Sequence, residues 1–416
     1  MNPSTAINVT LYTPQPYQRA VHDGLAAHWQ GSMHFVKSVR QKGKSMMCEN
    51  ILALASLSTS NQKSGFIAPT LRQAKPLYKD IVRQLKPLIA ESNGSDLELT
   101  FINGSSISFM SAEQGDNLRG FTVSAGGLLI IDEAAYISDE VFYAVTPFVN
   151  ANNAPILAVS TPRFRSGFFY DFYMDGHNGK ADIYSYDFND WPNPYITPAR
   201  LEMLRKKMPL NLFRADYLGE WMETTSDLFG DFNAVISNTV TQGERHVAGL
   251  DWGVGKAAGK DSDSTALSIF NEHKQQVRIY HWNDLDETAT IKAIAEAVRA
   301  YDIRKLVVET NSIGAVYLGL LKKAISAAAL PCTVVAFNTN NDSKRKVIEQ
   351  YIVEVQNRTI QLLDDPEQKV QLAAYQMEKT PTGKITYNAA KGYHDDIIMA
   401  TAFALHGMRA AQYCIL

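Results

Sequence analysis

The stretch Ser38-Val39-Arg40-Gln41-Lys42-Gly43-Lys44-Ser45 decides the fold because of what stands on either side of it. Before it runs a strand-like segment, Met33 to Ser38, and after it an apolar helical one, Met46 to Leu57. A loop ending in Gly-Lys-Ser at such a junction presents backbone N–H groups at a helix N-terminus. Those groups cradle phosphates, the lysine neutralises them and the hydroxyl helps hold magnesium. The motif starts with glycine, and this chain has Ser38 there. Farther on, Leu128-Leu129-Ile130-Ile131 is apolar on both faces, as a central parallel strand must be. It delivers Asp132 and Glu133 to the carboxyl edge of a sheet, where ligands bind in open α/β folds.

Ser64 to Ala68, Ser106 to Met110 and Ile156 to Ser160 also read as strands between helical stretches. That alternation predicts an α/β fold with an open, mostly parallel sheet. The motifs together predict ATP hydrolysis: Ser38, Arg40, Gln41, Lys42, Gly43, Lys44 and Ser45 line the triphosphate, and Asp132 holds Mg2+. Glu133 is the catalytic base that polarises water. The same two acids would equally serve to cap the following helix. Ser160-Thr161-Pro162 brings hydroxyls to the same edge and is also an ordinary strand ending. Gln18 is a candidate contact to adenine, since an amide offers both a donor and an acceptor, and it would also suit a solvated helix face.

With 416 residues and 45% hydrophobic content the chain can build two cores. We expect a first domain over 1–223, a linker over 224–245 and a second domain over 246–416. The linker is poor in periodicity and holds Gly230, Asn233, Asn238 and Gly243. A helix opens at Thr197-Pro198. Beyond the linker, strands are expected from His246, at Thr265 to Phe270, Gln276 to Trp282, Lys305 to Glu309 and Thr333 to Phe337. Helices are expected at Glu287 to Tyr301 and Ser343 to Gln356, which makes a mixed sheet. The net charge of -3 does not identify a partner. Three cysteines without a Cys-x-x-Cys pair support neither a disulfide framework nor a zinc ribbon, and fit a reducing cytoplasm. No apolar run suits a membrane span, and no signal peptide is read at the start.

A second set of acids lies downstream. Asp251 and Glu309 each end an apolar strand, and Asp395-Asp396 opens a helix whose stripe of Ile397, Ile398, Ala400, Phe403 and Ala404 would pack on the sheet. Acids gathered in this way repel unless cations sit among them, and two divalent metals, Mg2+ or Mn2+, so held would cut a phosphodiester. Asp261 and Asp263 are further ligand candidates, and capping its helix is the other reading of Asp395. Gln376 to Tyr387 reads as a hairpin with Lys379, Lys384 and Lys391 along it. Those lysines, with Lys344-Arg345-Lys346, suit phosphate contacts or solvent.

Arg40 within its Gly-Lys-Ser loop, Ile130-Ile131-Asp132-Glu133-Ala134 and Ser160-Thr161-Pro162 resemble the ATPase centre of the large terminase subunits of tailed bacteriophages. The downstream acids resemble that family's nuclease domain. The resemblance runs from about Pro14 to Met408. It implies a P-loop motor followed by an RNase H-like nuclease domain, and catalytic roles for Arg40, Glu133, Asp251, Glu309 and Asp395. It further implies coupling through Ser160 and Thr161, and a trans-acting arginine for which Arg119 is the candidate. The metal ligands carry over to Asp251, Glu309 and Asp395 with Asp396 beside them, Glu309 standing where many members have aspartate. The implied partners are double-stranded DNA, a portal protein, a small terminase subunit and further copies of the chain, as a pentamer on the portal and a monomer alone. The implied setting is the host cytoplasm, transiently at the procapsid portal. A helicase-type repair ATPase with a resolvase-like nuclease, and a DNA-binding scaffold with degenerate sites, are the rival readings.

Overall fold

The structure is a computed structural model that describes residues 12–118, 120–222, 228–253, 264–283, 285–311, 314–380 and 385–411. The chain divides into two compact units: 1–201 with 212–223 and 379–384, and 202–211 with 224–378 and 385–416.

The first unit opens with α1 (Pro16–Ala27), β1 (Met33–Lys37), α2 (Lys44–Ser58), β2 (Lys63–Ala68) and α3 (Leu71–Gln84). It continues with β3 (Ile89–Asn93), β4 (Glu98–Phe101), β5 (Ser106–Ser111), β6 (Leu129–Asp132), α4 (Asp139–Asn150), β7 (Ile156–Ser160), α5 (Phe168–His177) and β8 (Ile183–Asp187). The sheet order is β3-β4-β5-β2-β6-β7-β1-β8. From β5 to β8 all neighbours run parallel, while β3 and β4 are antiparallel additions at one edge. Central strands have apolar side chains on both faces because helices cover both. Val36, Phe66, Ile130 and Val159 pack with α2 and α3, whereas Phe35, Ile67, Ile131 and Ala158 pack with α4 and α5.

Two short helices follow, α6 (Pro198–Arg205) and α7 (Leu210–Phe213). The second unit holds β9 (His246–Asp251), β10 (Thr265–Asn271), β11 (Gln276–Trp282), α8 (Glu287–Ala300), β12 (Ile303–Glu309), α9 (Gly314–Ala327) and β13 (Thr333–Phe337). After these come α10 (Asn341–Gln356), α11 (Pro366–Ala374), β14 (Tyr375–Lys379), β15 (Ile385–Ala389) and α12 (Asp396–Ala411). Its sheet order is β11-β10-β9-β12-β13, antiparallel up to β9 and parallel beyond, and β14 pairs separately with β15. Helix α12 lies directly on β9. A Cβ added at Gly249 would come within 2.1 Å of Ala400 O and 2.3 Å of Ala404 N, so only glycine permits that approach.

Within the segment expected as a linker, 224–245, the described residues 228–245 include packed side chains. Leu228, Phe229 and Val235 are buried, and the Phe229 ring lies 4.8 Å from that of Tyr351, centroid to centroid. Ile236 bridges Leu362. Weak periodicity here marks an irregular but packed segment, because three apolar anchors suffice to fix it.

Candidate functional site

At the carboxyl edge of the first sheet, β6, β7 and β1 end side by side. Asp132 lies opposite Val159 and Ser160 opposite Lys37. Ser38 N donates to Ser160 O at 3.0 Å. Ser38 is not among the residues with positive φ, so this position does not require glycine; positive φ falls at Gln41 (56°) and Gly43 (80°) instead. Gly43 is the N-cap of α2, which begins at Lys44. The Lys44 ammonium is buried, donates to Val39 O at 3.3 Å and stands 4.0 Å from Glu133 Oε1. Ser45 is exposed in the first helical turn.

Glu133 adopts a left-handed φ of 49°, uncommon away from glycine and typical of functional positions. Its Oε2 accepts from Ser160 Oγ and Thr161 Oγ1, both at 3.4 Å. Asp132 Oδ1 accepts from Glu133 N at 3.0 Å. Burial, then the charge of Glu133, holds the Asp132 carboxyl well above the usual range, with Lys44 opposing. The chain then makes a single turn, Ala134–Tyr136, which Glu133 does not cap through its side chain. The arrangement thus gathers two acids, two hydroxyls and one ammonium beside the loop over residues 38–45.

Three expectations change in detail. Gln18 is buried, its Nε2 donating to Gly43 O at 3.0 Å and its Oε1 accepting from Gln15 N at 2.8 Å. It braces α1 against the loop. The Lys42 ammonium is bound by the carbonyls of Phe188 and Trp191, so only the Lys42 backbone remains for a phosphate. Arg40 pairs through Nε with Asp216 Oδ2 at 2.9 Å, and Asp216 Oδ1 also meets Arg163 Nη1 at 2.8 Å. Arg163 is buried, with its guanidinium 4.6 Å from the Tyr136 ring centroid. Neither Asp216 nor Arg163 was expected, since nothing in the local pattern of either names a partner so remote in the chain. Arg119 lies outside the described residues.

In the second unit, Asp251 ends β9 and Glu309 ends the neighbouring β12, with Val308 paired to Leu250. Asp251 is buried. Its carboxyl is pushed far up by burial, by a hydrogen bond shared with Glu309, and by the charges of Glu309, Asp396 and Asp395. Asp251 therefore stands within electrostatic reach of the other three acids. Among the described residues no group of three or more His, Cys, Asp or Glu forms a ready-made metal cage. Two carboxylates are turned to other partners: Asp395 Oδ2 to Lys344 Nζ at 2.9 Å, and Asp396 Oδ2 to Ser264 N at 3.1 Å. His281 Nε2 stands 3.6 Å from Asp396 Oδ2. The donor set, hard carboxylate oxygens around a buried acid whose ionisation is disfavoured by burial and by its acidic neighbours, fits divalent cations.

Capping does not explain Asp395. Ile397 N and Ile398 N donate to Gln371 Oε1 at 3.0 and 3.4 Å, so the side chain of a different helix fills that role. Lys344, read as suiting phosphate contacts or solvent, serves an acid and, at 3.3 Å, Asn388 Oδ1. Lys346 and Lys391 are exposed; Asp261, Asp263, Lys384 and the Lys379 side chain lie outside the described residues.

Two family models match: the N-terminal domain of terminase large subunits of the T4likevirus type over residues 36–234, and the terminase RNaseH-like domain over 248–407. The large terminase subunit of Escherichia phage T5 is 27% identical over 226 residues, which take in 50% of this chain and 48% of that protein. Tripartite terminase subunit 3 of Equine herpesvirus 1 is 27% identical over 142 residues, 32% of this chain and 19% of that protein. The matches thus span about half of the phage relative and less of the herpesvirus one. Among solved structures, the large terminase of a thermophilic bacteriophage superposes with a TM-score of 0.62 at 15% identity, covering 94% of this chain and 98% of that one. The same terminase in complex with ADP gives 0.60 at 14% identity, with the same coverage. These likenesses concern the fold.

Proposed function

Because this chain belongs to the terminase large subunit family, we propose that it hydrolyses ATP to drive double-stranded viral DNA into a procapsid and cuts concatemeric DNA with divalent metal. The observation that carries the reading is the pair of acid-lined sheet edges, one behind a phosphate loop and one without any. At the first edge the amides of residues 40–45 and the Lys44 ammonium hold the β- and γ-phosphates. Asp132 and Ser45 hold Mg2+, and Glu133 orients water while Ser160 and Thr161 sense its position. The metal neutralises charge on the transferring phosphoryl group when bound. Arg40 reaches the phosphates once it leaves Asp216, and Arg119 is the candidate to act on a neighbouring copy.

At the second edge Asp251, Glu309 and Asp395, with Asp396 beside them, would hold Mg2+ or Mn2+, and the metal would supply water activation and charge stabilisation at the leaving oxygen. A cation at this edge would offset the mutual repulsion of Asp251 and the other three acids. The natural partners are DNA, a portal protein, a small terminase subunit and other copies of the chain, as a pentamer on the portal and a monomer alone, in the host cytoplasm. Among the described residues no helix is long and apolar enough to cross a membrane. The test is separation of the two activities in the full chain. Lys44→Ala abolishes ATP turnover and leaves Mn2+-dependent nicking of plasmid DNA; loss of both activities in that variant contradicts two independent sites.

A further inference from the structure

Helix α12 carries Asp395 at its N-cap position, since Met399 N donates to Asp395 O at 2.8 Å and the helix begins at Asp396. An N-cap aspartate ordinarily turns its carboxylate onto the amides of the second and third helical residues, a preference of about 1 kcal/mol. Here those amides are Ile397 N and Ile398 N, and both already donate to Gln371 Oε1. Gln371 is fully buried on α11, and its Nε2 donates to Glu367 Oε1 at 3.4 Å, which fixes which end of the amide faces α12. The carboxylate that would have capped is consequently free to meet Lys344 on the side of the acid cluster.

We propose that Gln371 is a positioning residue for the acid cluster: by capping α12 in place of Asp395, it keeps the Asp395 carboxylate available for metal. This rests on the nuclease reading of that cluster. Without the Gln371 acceptor, Asp395 turns back onto its own helix and the metal loses a ligand. The helix remains capped, so the fold survives while the site loosens. Groups that orient metal ligands from behind typically set affinity by about 10–100-fold.

The experiment titrates Mn2+ into the full chain by calorimetry, for the wild type and for Gln371→Met, which keeps the volume and removes the acceptor. The expected result is a Kd for Mn2+ raised about tenfold. The metal concentration giving half-maximal nicking should rise in step, with little change at saturating metal and none in ATP turnover. A second readout needs no metal. Asp395→Ala should lower the melting temperature more in the Gln371→Met background than in the wild type, because only there does Asp395 cap the helix. Gln371→Asn, whose shorter arm withdraws the same acceptor, serves if Gln371→Met does not fold. Unchanged Mn2+ affinity, or equal effects of Asp395→Ala in both backgrounds, overturns the proposal. A wild-type chain that binds no Mn2+ sinks the nuclease reading, while the melting comparison still decides the role of Gln371.

Discussion

The two sheet edges gather acids in opposite ways. At the first, Glu133 has Lys44 within 4.0 Å and two hydroxyls on one oxygen, so its charge is met by the protein itself. At the second, Asp251 faces three other acids, and the lysine present attends Asp395. A phosphate loop must exist before its ligand arrives, because amides and ammonium must already point inward, whereas an all-carboxylate site is completed by its cation. The difference teaches that one edge is preorganised and the other is held under electrostatic tension.

The sharpest way to break that contrast is Asp251→Asn. It should cut nicking by roughly 10⁴-fold while ATP turnover stays within about twofold, and it should raise the melting temperature of the metal-free chain by relieving repulsion. A lower melting temperature would mean that the second edge is not under tension. Next comes Asp216→Ala, which leaves the buried Arg163 unpaired and Arg40 unrestrained. Denaturant unfolding should show a loss of about 3–5 kcal/mol, with nicking at saturating metal unaffected. Gly249→Ala should cost about 1–3 kcal/mol by lifting α12 from β9, and nicking should fall with it, read against unchanged ATP turnover.

The smallest effect concerns Glu49 on α2. Burial, then the charge of Asp80, pushes its carboxyl up to about 7, with Gln84 Nε2 donating to it at 2.6 Å. An acid whose folded value is raised contributes stability that is complete below its unfolded value and is lost as pH rises through the folded one. Melting temperature should therefore decline between about pH 5 and 8 relative to Glu49→Gln, which removes that slope; parallel curves would exclude Glu49 as its source.

Legibility follows chemistry that is local in sequence. The strands at Gln276 to Trp282 and Thr333 to Phe337 have the bounds expected of them because apolar and β-branched residues end there against turn residues. β3 gives no such signal, since Ile89-Ala90-Glu91-Ser92-Asn93 is an exposed edge with no alternation to read, and β8 is likewise an edge strand rich in polar groups. The acids at strand ends are visible, because a parallel sheet aligns all its carboxyl ends. What is not visible is who holds them. Asp216 beneath Arg40, Lys344 on Asp395 and Gln371 on α12 are contacts between segments whose proximity only the tertiary fold creates.

Lys42 makes the phosphate loop mechanically lopsided. One flank is bolted from below, its ammonium sunk among the Phe188 and Trp191 carbonyls and against the Tyr17 ring, while Arg40 on the other flank is half open to solvent. The two flanks are thus anchored by different chemistry: a sunken cation held by neutral carbonyls on one, and on the other a half-exposed guanidinium whose hold is the single carboxylate of Asp216.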